Sequence, residues 1–322
     1  MLKNSDSNLP LSLTVWLAHD NYGYTNNPKV ISATTLLKPI KSLVLSQLPE
    51  AQRETDIASL IPSRMGTAIH EAIEVAWLDR PLEALTALGY PPNMIAKIVI
   101  NPTVVKPGQI PIYLEQRVNK KFEDYIITGQ FDFVENGVLE DFKTTSTYNW
   151  ISQSNAEKYV LQGSIYRWLN PDIITEDYMY IRYIFTDWSS TKAKQDSSYP
   201  QSRIISNKYT LKSLGEIEQF IRSRLNQLKQ YIGKPQEELP PCTPEELWQK
   251  PSIYKYYKNP QKKTRSTANF DTYYEAHQKW LDDQCVGEIV TVPGEVVFCK
   301  YCNASGICNQ ARAYMLEGKL AL

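Results

Sequence analysis

The 322-residue chain has no excess of either charge: 35 Lys and Arg balance 35 Asp and Glu. That balance excludes a whole-molecule attraction for nucleic acid or an anionic surface, while leaving room for a local basic patch. Long apolar runs are also lacking. The nearest, Leu9 to Ala18, is interrupted by Ser12 and Thr14 and falls short of the roughly 18 residues a membrane span needs. No small-residue cleavage site follows it, so a signal peptide is not expected and the expected location is cytoplasmic. Internal repeats and low-complexity tracts are absent. Histidine is scarce, at three residues, and the five cysteines are an odd number. Three of the five crowd into Cys299, Cys302 and Cys308. Without a secretion signal, that spacing reads as metal binding before it reads as disulfides.

An apolar fraction of 42% with 22% charged residues is that of a globular chain. The first 30 residues read mostly as loop, with one short apolar segment, and helical text begins at Ser32. Ser63 or Thr67 can open a helix in which Ile69, Ile73 and Trp77 recur every four residues as one apolar face. His70 and Glu74 lie beside that face, on the same side as each other. After a proline-rich bridge from Pro91 to Pro111 the period changes to two. Ile110 to Val118, Tyr125 to Val134 and Val138 to Lys143 read as strands, joined by turns at residues 119–121 and at Glu135-Asn136-Gly137. Ala156 to Leu169 reads as a helix, Asp177 to Phe185 as a strand and Leu211 to Tyr231 as a long amphipathic helix. Thr243-Pro244-Glu245-Glu246 has the form of a helix start with a capping box. The order implies an α/β fold with a mixed sheet. The expected parts are an N-terminal loop and helical segment (1–62), a core (63–233), and a C-terminal basic, aromatic and cysteine-bearing segment (234–322) packing on that core.

Chemistry concentrates in two stretches, Thr128-Gly129-Gln130-Phe131-Asp132 and Leu139-Glu140-Asp141-Phe142-Lys143. Asp132 is expected to end its strand beside the turn. Asp141 and Lys143 share a strand face, because side chains repeat every two residues. Carboxylates converging from neighbouring strands can hold a hard divalent cation. A lysine two residues on can orient water or stabilise charge developing at phosphorus. Taken alone, such triplets also suit a solvated hairpin.

Further elements in the same order resemble the PD-(D/E)xK nuclease superfamily, and within it the RecB-like exonuclease branch that includes Cas4- and AddB-type nucleases. The matching elements are Gly66-Thr67-Ala68-Ile69-His70, Glu115 on the first strand, Gly129 to Asp132, Asp141 to Lys143, and Gln162-Gly163-Ser164-Ile165-Tyr166. The resemblance spans roughly residues 30–310. It implies a restriction-endonuclease-like core, a central mixed sheet flanked by helices, and metal-dependent DNA exonuclease or end-processing activity. His70, Asp132, Asp141 and the Phe142 backbone carbonyl would then bind Mg2+ or Mn2+. Lys143 would position water, Glu115 would join the catalytic group, and Gln162 and Tyr166 would orient the substrate strand or the lysine.

Cys299, Cys302 and Cys308 form a C-x2-C-x5-C run similar to the iron–sulfur half of Cas4- and AddB-type nucleases, implying a [4Fe–4S] cluster, with Zn2+ as the alternative. The upstream cysteine of that pattern is missing, and Lys38 stands near its place. The fourth ligand then comes from Cys242, which a likeness to phage-type members favours, or from Cys285 in reserve, or is absent. The Pro-Pro-Cys-Thr loop and the segment from Lys263 through Arg265 to Thr272 resemble parts of phage-type members.

Residues 247–270 carry six basic side chains and no acid. Lys255, Lys258, Lys262, Lys263 and Arg265 could track phosphates while neighbouring tyrosines stack on bases. The other reading packs those tyrosines into the core. The expected partner is end-bearing DNA, single- or double-stranded, and no membrane. A recombination or annealing protein and self-association are both compatible with it. The rival functions are a catalytically degenerate nucleic-acid-binding subunit and an endonuclease on the same fold.

Overall fold

The computed structural model describes residues 2–5, 8–20, 23, 25 and 27–321. The chain divides into two compact units, Leu2–Leu37 with Thr55–Leu225, and Lys38–Glu54 with Asn226–Leu322. These boundaries differ from cuts at 62 and 233. Residues 38–54 group with the C-terminal part, and the second boundary falls inside a helix. The loop expected near residues 21–28 lies partly outside the described residues.

The first unit contains β1 (Val30–Ser32), α1 (Ile61–Asp79), β2 (Ile98–Ile100), β3 (Ile110–Leu114), β4 (Arg117–Phe122), β5 (Tyr125–Gln130), β6 (Phe133–Glu135), β7 (Val138–Thr145), α2 (Ala156–Leu169), β8 (Tyr178–Phe185) and β9 (Ile204–Thr210). A further helix, α3 (Leu214–Tyr231), begins in this unit and crosses the boundary. A six-stranded sheet runs in the order β9-β8-β7-β6-β3-β2, and a three-stranded sheet in the order β1-β5-β4. The large sheet is mixed: β7 and β8 are parallel, as are β2 and β3, and its other pairs are antiparallel. It is an α/β architecture with a central mixed sheet flanked by helices.

Two strands expected to be continuous are each broken. Ile110 to Val118 splits into β3 and β4, and Glu115 at the break has φ +46°. Tyr125 to Val134 splits into β5 and β6, so Asp132 sits at the break rather than beside the hairpin turn. Neither break contains a glycine or a proline, which is why the sequence does not reveal them. Residues 119–121, read as a turn, lie within β4. The chain reverses instead at Glu123 and Asp124, with Glu123 in the left-handed region. The Asn136-Gly137 turn forms as expected, both residues having positive φ.

The breaks create an opening in the sheet. β6 pairs with β7 only through Glu140, whereas β8 follows the other edge of β7 to Thr145. From Asp141 onward one edge of β7 therefore has no strand partner, because β5 has left to pair with β1 and β4.

Helix α1 approaches the face of Phe133 and Phe142. Its Trp77 packs on the buried cluster of Ile112, Leu114 and Phe133. Pro62 occupies the first turn, so the helix begins at Ile61, upstream of the expected Ser63. Helix α2 covers the opposite face, lying so close that two glycines are required. A Cβ on Gly163 would stand 2.3 Å from Met179 Sδ of β8, and one on Gly129 of β5 would stand 2.6 Å from Leu169 Cδ1. Gly129→Ala is accordingly expected to cost about 1–3 kcal/mol through overpacking, read by urea denaturation. An unchanged midpoint would contradict this packing.

In the second unit, β10 (Ile253–Tyr257), β11 (Ala268–Phe270) and β12 (Glu288–Val292) form a sheet with β10 in the centre, and α4 (Tyr273–Asp282) lies between β11 and β12 in sequence. The Thr243 capping box forms, with Glu246 N–H donating to Thr243 Oγ1 and Thr243 N–H to Glu246 Oε2. It caps a single turn, which stops at Trp248 with φ +50°.

Candidate active site

The unpaired edge of β7 takes side chains as substitutes for a neighbouring strand. The Phe142 amide donates to Asp132 Oδ2 at 2.8 Å, and the Phe142 carbonyl oxygen lies 3.0 Å from His70 Nε2. Asp132 is positioned by the strand break, where its own carbonyl accepts from the Glu115 amide at 3.0 Å. The left-handed backbone of Glu115 turns its side chain to the same place. His70 Nδ1 stands 3.5 Å from Asp132 Oδ2 and 3.9 Å from Glu115 Oε1. His70, Glu115 and Asp132 each offer a ligand atom within 4.8 Å of the others, the sole such group of His, Cys, Asp or Glu among the described residues. This cluster could chelate a divalent metal ion.

Asp141 stands outside that group. Strand alternation turns it with Lys143 toward α2, and its Oδ2 is 2.5 Å from Lys143 Nζ. Asp141 is 2% exposed. Gln162 Nε2 donates to Tyr166 Oη at 2.8 Å and lies 3.5 Å from Asp141 Oδ1. All seven side chains expected from the sequence (His70, Glu115, Asp132, Asp141, Lys143, Gln162 and Tyr166) thus come to the two sides of one strand end. A cavity of about 570 Å³ opens there.

Three residues outside the expected set belong to the site. Gln130 Nε2 donates to Glu115 Oε2 at 2.8 Å and fixes that carboxylate. Arg117 in turn donates to Gln130 Oε1 at 3.0 Å. Glu74, one turn beyond His70 on α1, lines the cavity, and its position beside His70 was visible in the helical spacing. Gln130 and Arg117 carry no comparable sequence signal.

Electrostatics oppose filling this site with bare charge. Burial pushes Glu115 up to about 7, helped by Glu74 and Asp141 and opposed by the Gln130 hydrogen bond. Burial, then Asp141, raises Asp132 well above the usual carboxylate range. Burial, then Lys143, lowers His70. Burial draws the Lys143 value down, but Asp141 and Asp132 more than reverse this, so its ammonium stays charged at neutral pH.

A raised carboxylate favours the folded state only while protonated. The Glu115 contribution is complete below its ordinary value of 4.5 and lost as pH rises through about 7. Melting temperatures in chelator should therefore fall across that window, and Glu115→Gln should flatten the slope. An identical slope in that variant would contradict the assignment.

The four cysteines expected as ligands, Cys242, Cys299, Cys302 and Cys308, line one apolar cavity in the second unit with Leu45 and Phe298. Burial, reinforced by neighbouring groups, pushes the Cys242 and Cys299 thiols up to about 12. Cys285 is exposed and not among the cavity's lining residues. The basic segment is less open than expected. Lys258 pairs with Asp283 and Lys263 with Glu288 at 2.6 Å, while Lys262 and Arg265 are exposed and Lys255 is half-buried in β10. Tyr256 and Tyr257 are buried, and the single Tyr256 hydroxyl proton is shared between Asp283 Oδ2 at 2.9 Å and the Val286 carbonyl at 2.8 Å. These two tyrosines pack in the core, as the second reading had it, because β10 is the central strand of its sheet.

No protein-family model matches the chain, and no curated protein does. Among solved structures there is distant similarity to a phage-related exonuclease from Haemophilus somnus 129PT, with 15% identity, a TM-score of 0.29, and coverage of 63% of this chain and 92% of that one. A second structure, that of the protein SSO0001, has 12% identity and a TM-score of 0.38, with coverage of 70% and 93%. Among the described residues, no helix is long and apolar enough to cross a membrane.

Proposed function

We propose that the protein is a metal-dependent DNA nuclease of the PD-(D/E)xK type, acting on strand ends as an exonuclease or end-processing enzyme. The observation that carries this reading is the His70–Glu115–Asp132 group set across one strand end from the Asp141–Lys143 pair. The donor set fits a hard divalent cation, with two carboxylates and one imidazole. His70, Glu115, Asp132 and the Phe142 carbonyl would hold the ion, and Asp141 would face it from the far side of β7. Bound there, Mg2+ or Mn2+ would supply Lewis acidity toward a phosphoryl oxygen and lower the pKa of water.

The chain's own groups define the rest. Lys143, already protonated and paired with Asp141, donates a hydrogen bond to the oxygen of the attacking water and offsets charge growing on phosphorus; it is not the base. Asp141 fixes the ammonium, and Gln162 with Tyr166 limits the movement of Asp141. Gln130 and Arg117 hold Glu115 in place.

The test is cleavage of end-labelled single- and double-stranded DNA with Mg2+, Mn2+ or chelator, alongside a closed circle. Metal-dependent loss of linear DNA with the circle intact is expected. No cleavage of any substrate would remove the enzyme reading, and cutting of the circle would leave the endonuclease.

The proposal extends to the second unit, where Cys242, Cys299, Cys302 and Cys308 hold a [4Fe–4S] cluster that braces the fold. Their shared, apolar cavity supports it, because it brings all four thiols to line one space. Anaerobic purification should give near-stoichiometric iron and sulfide. Zinc in their place would assign the alternative, and free titration of all five thiols would end the claim.

A further inference from the structure

Buried polar atoms without a hydrogen bond are few among the described residues: Asp141 Oδ2, Glu288 Oε1 and Thr144 Oγ1. The two carboxylate oxygens each face an ammonium, from Lys143 and Lys263. Thr144 has no such partner. Leaving a hydroxyl buried and unpaired is unfavourable, so one that persists calls for a reason in what binds beside it.

Thr144 is placed to meet a ligand. It follows Lys143 at the end of β7, its backbone held in register with Ile184 of β8, and it lines the active-site cavity. Alternation along β7 puts its side chain on the Phe142 face, the face α1 approaches. Two hydroxyls of α1 in the same cavity already have uses, since Ser63 donates to the Leu60 carbonyl and Thr67 to that of Ser63. Gly66 lies between them, and a Cβ there would meet nothing within 4 Å, so the cavity is open at that point.

The remainder of the lining is hostile to an anion. Glu71, Glu74, Glu115 and Asp132 all face the cavity, while the Lys143 charge is turned to Asp141 and Arg117 is engaged by Gln130. A polyanionic strand entering here needs a neutral donor that is not already committed. We propose that Thr144 is a substrate-binding residue, its hydroxyl donating to a non-bridging phosphate oxygen of the nucleic-acid strand in the space beside Gly66. This deepens the nuclease reading and rests on it.

Thr144→Val keeps the shape and removes the donor, and Thr144→Ser keeps the donor. The comparison uses a fluorescein-labelled oligodeoxynucleotide with Mn2+, following cleavage kinetics and the anisotropy of binding, with thermal melts of each variant. Removing a hydrogen bond to a charged group should weaken binding and raise KM about 10- to 100-fold. Thr144→Ser should stay near wild type. Because the orphaned hydroxyl is gone, the melting temperature of Thr144→Val should be unchanged or raised. Wild-type binding by Thr144→Val overturns the proposal. So does equal weakening in both variants, or weakening accompanied by a lowered melting temperature, which would mark a structural role. If the wild type binds the oligonucleotide without cleaving it, the enzyme reading fails while the anisotropy series still decides Thr144. If it neither binds nor cleaves, both are overturned.

Discussion

Lys143→Ala is expected to lower DNA cleavage by about 10²- to 10⁴-fold, the range for losing a positioned proton donor or charge stabiliser. It should also cost stability. The sequence suggests no partner for this lysine, but the structure pairs it with Asp141, which is 2% exposed. Removing one member leaves a buried charge uncompensated, at roughly 3–5 kcal/mol. Activity and folding must therefore be separated. The double variant Asp141→Asn with Lys143→Met removes both charges, and should recover most of the stability while staying inactive. Urea denaturation beside end-labelled DNA digestion reads the two effects. Turnover at the wild-type rate in either variant would remove Lys143 from the mechanism.

Asp132→Asn should produce the other large change, in metal affinity. Its side-chain oxygen can still accept from the Phe142 amide, so the edge of β7 keeps its hydrogen bond. What is lost is the anionic ligand nearest His70 Nδ1. Mn2+ affinity should fall by more than the roughly 10- to 100-fold that outer-shell changes cost, with cleavage falling in parallel. The metal-free variant should melt higher than the metal-free wild type, since burial and Asp141 both oppose the Asp132 charge. Calorimetric titration with Mn2+ and melts in chelator give both numbers. Undiminished Mn2+ affinity would place the ion elsewhere.

The side chains of the candidate site were anticipated in the sequence, Asp132, Asp141 and Lys143 from strand chemistry and His70, Glu115, Gln162 and Tyr166 from the order of elements that resembles a nuclease superfamily. Asp141 and Lys143 lie two apart on a strand and so share a face, and Gln162 and Tyr166 lie one helical turn apart. The helix Ala156–Leu169 and the Asn136-Gly137 turn were legible because local preference and tertiary structure agree. What could not be read was the parting of the strands. Nothing in Leu114-Glu115-Gln116 announces a left-handed residue, since no glycine marks it. The departure of β5 from the large sheet depends on partners elsewhere in the chain. The same limit hid β9, whose exposed polar residues give it little apolar alternation. It also hid Gln130, whose role exists only because Glu115 is turned toward it.

The grouping of Lys38–Glu54 with Asn226–Leu322 bears on the order in which the protein is made. At about 5–20 residues per second, synthesis of the intervening stretch takes roughly ten to thirty seconds. By the end of that interval the strands and helices that carry the candidate site have all been made. The short helix Ile40–Leu45, all six of whose residues are buried in the finished protein, still lacks the segment that covers it. A chain truncated at residue 225 would thus carry every side chain of the candidate site while leaving this helix uncovered, a species prone to aggregate.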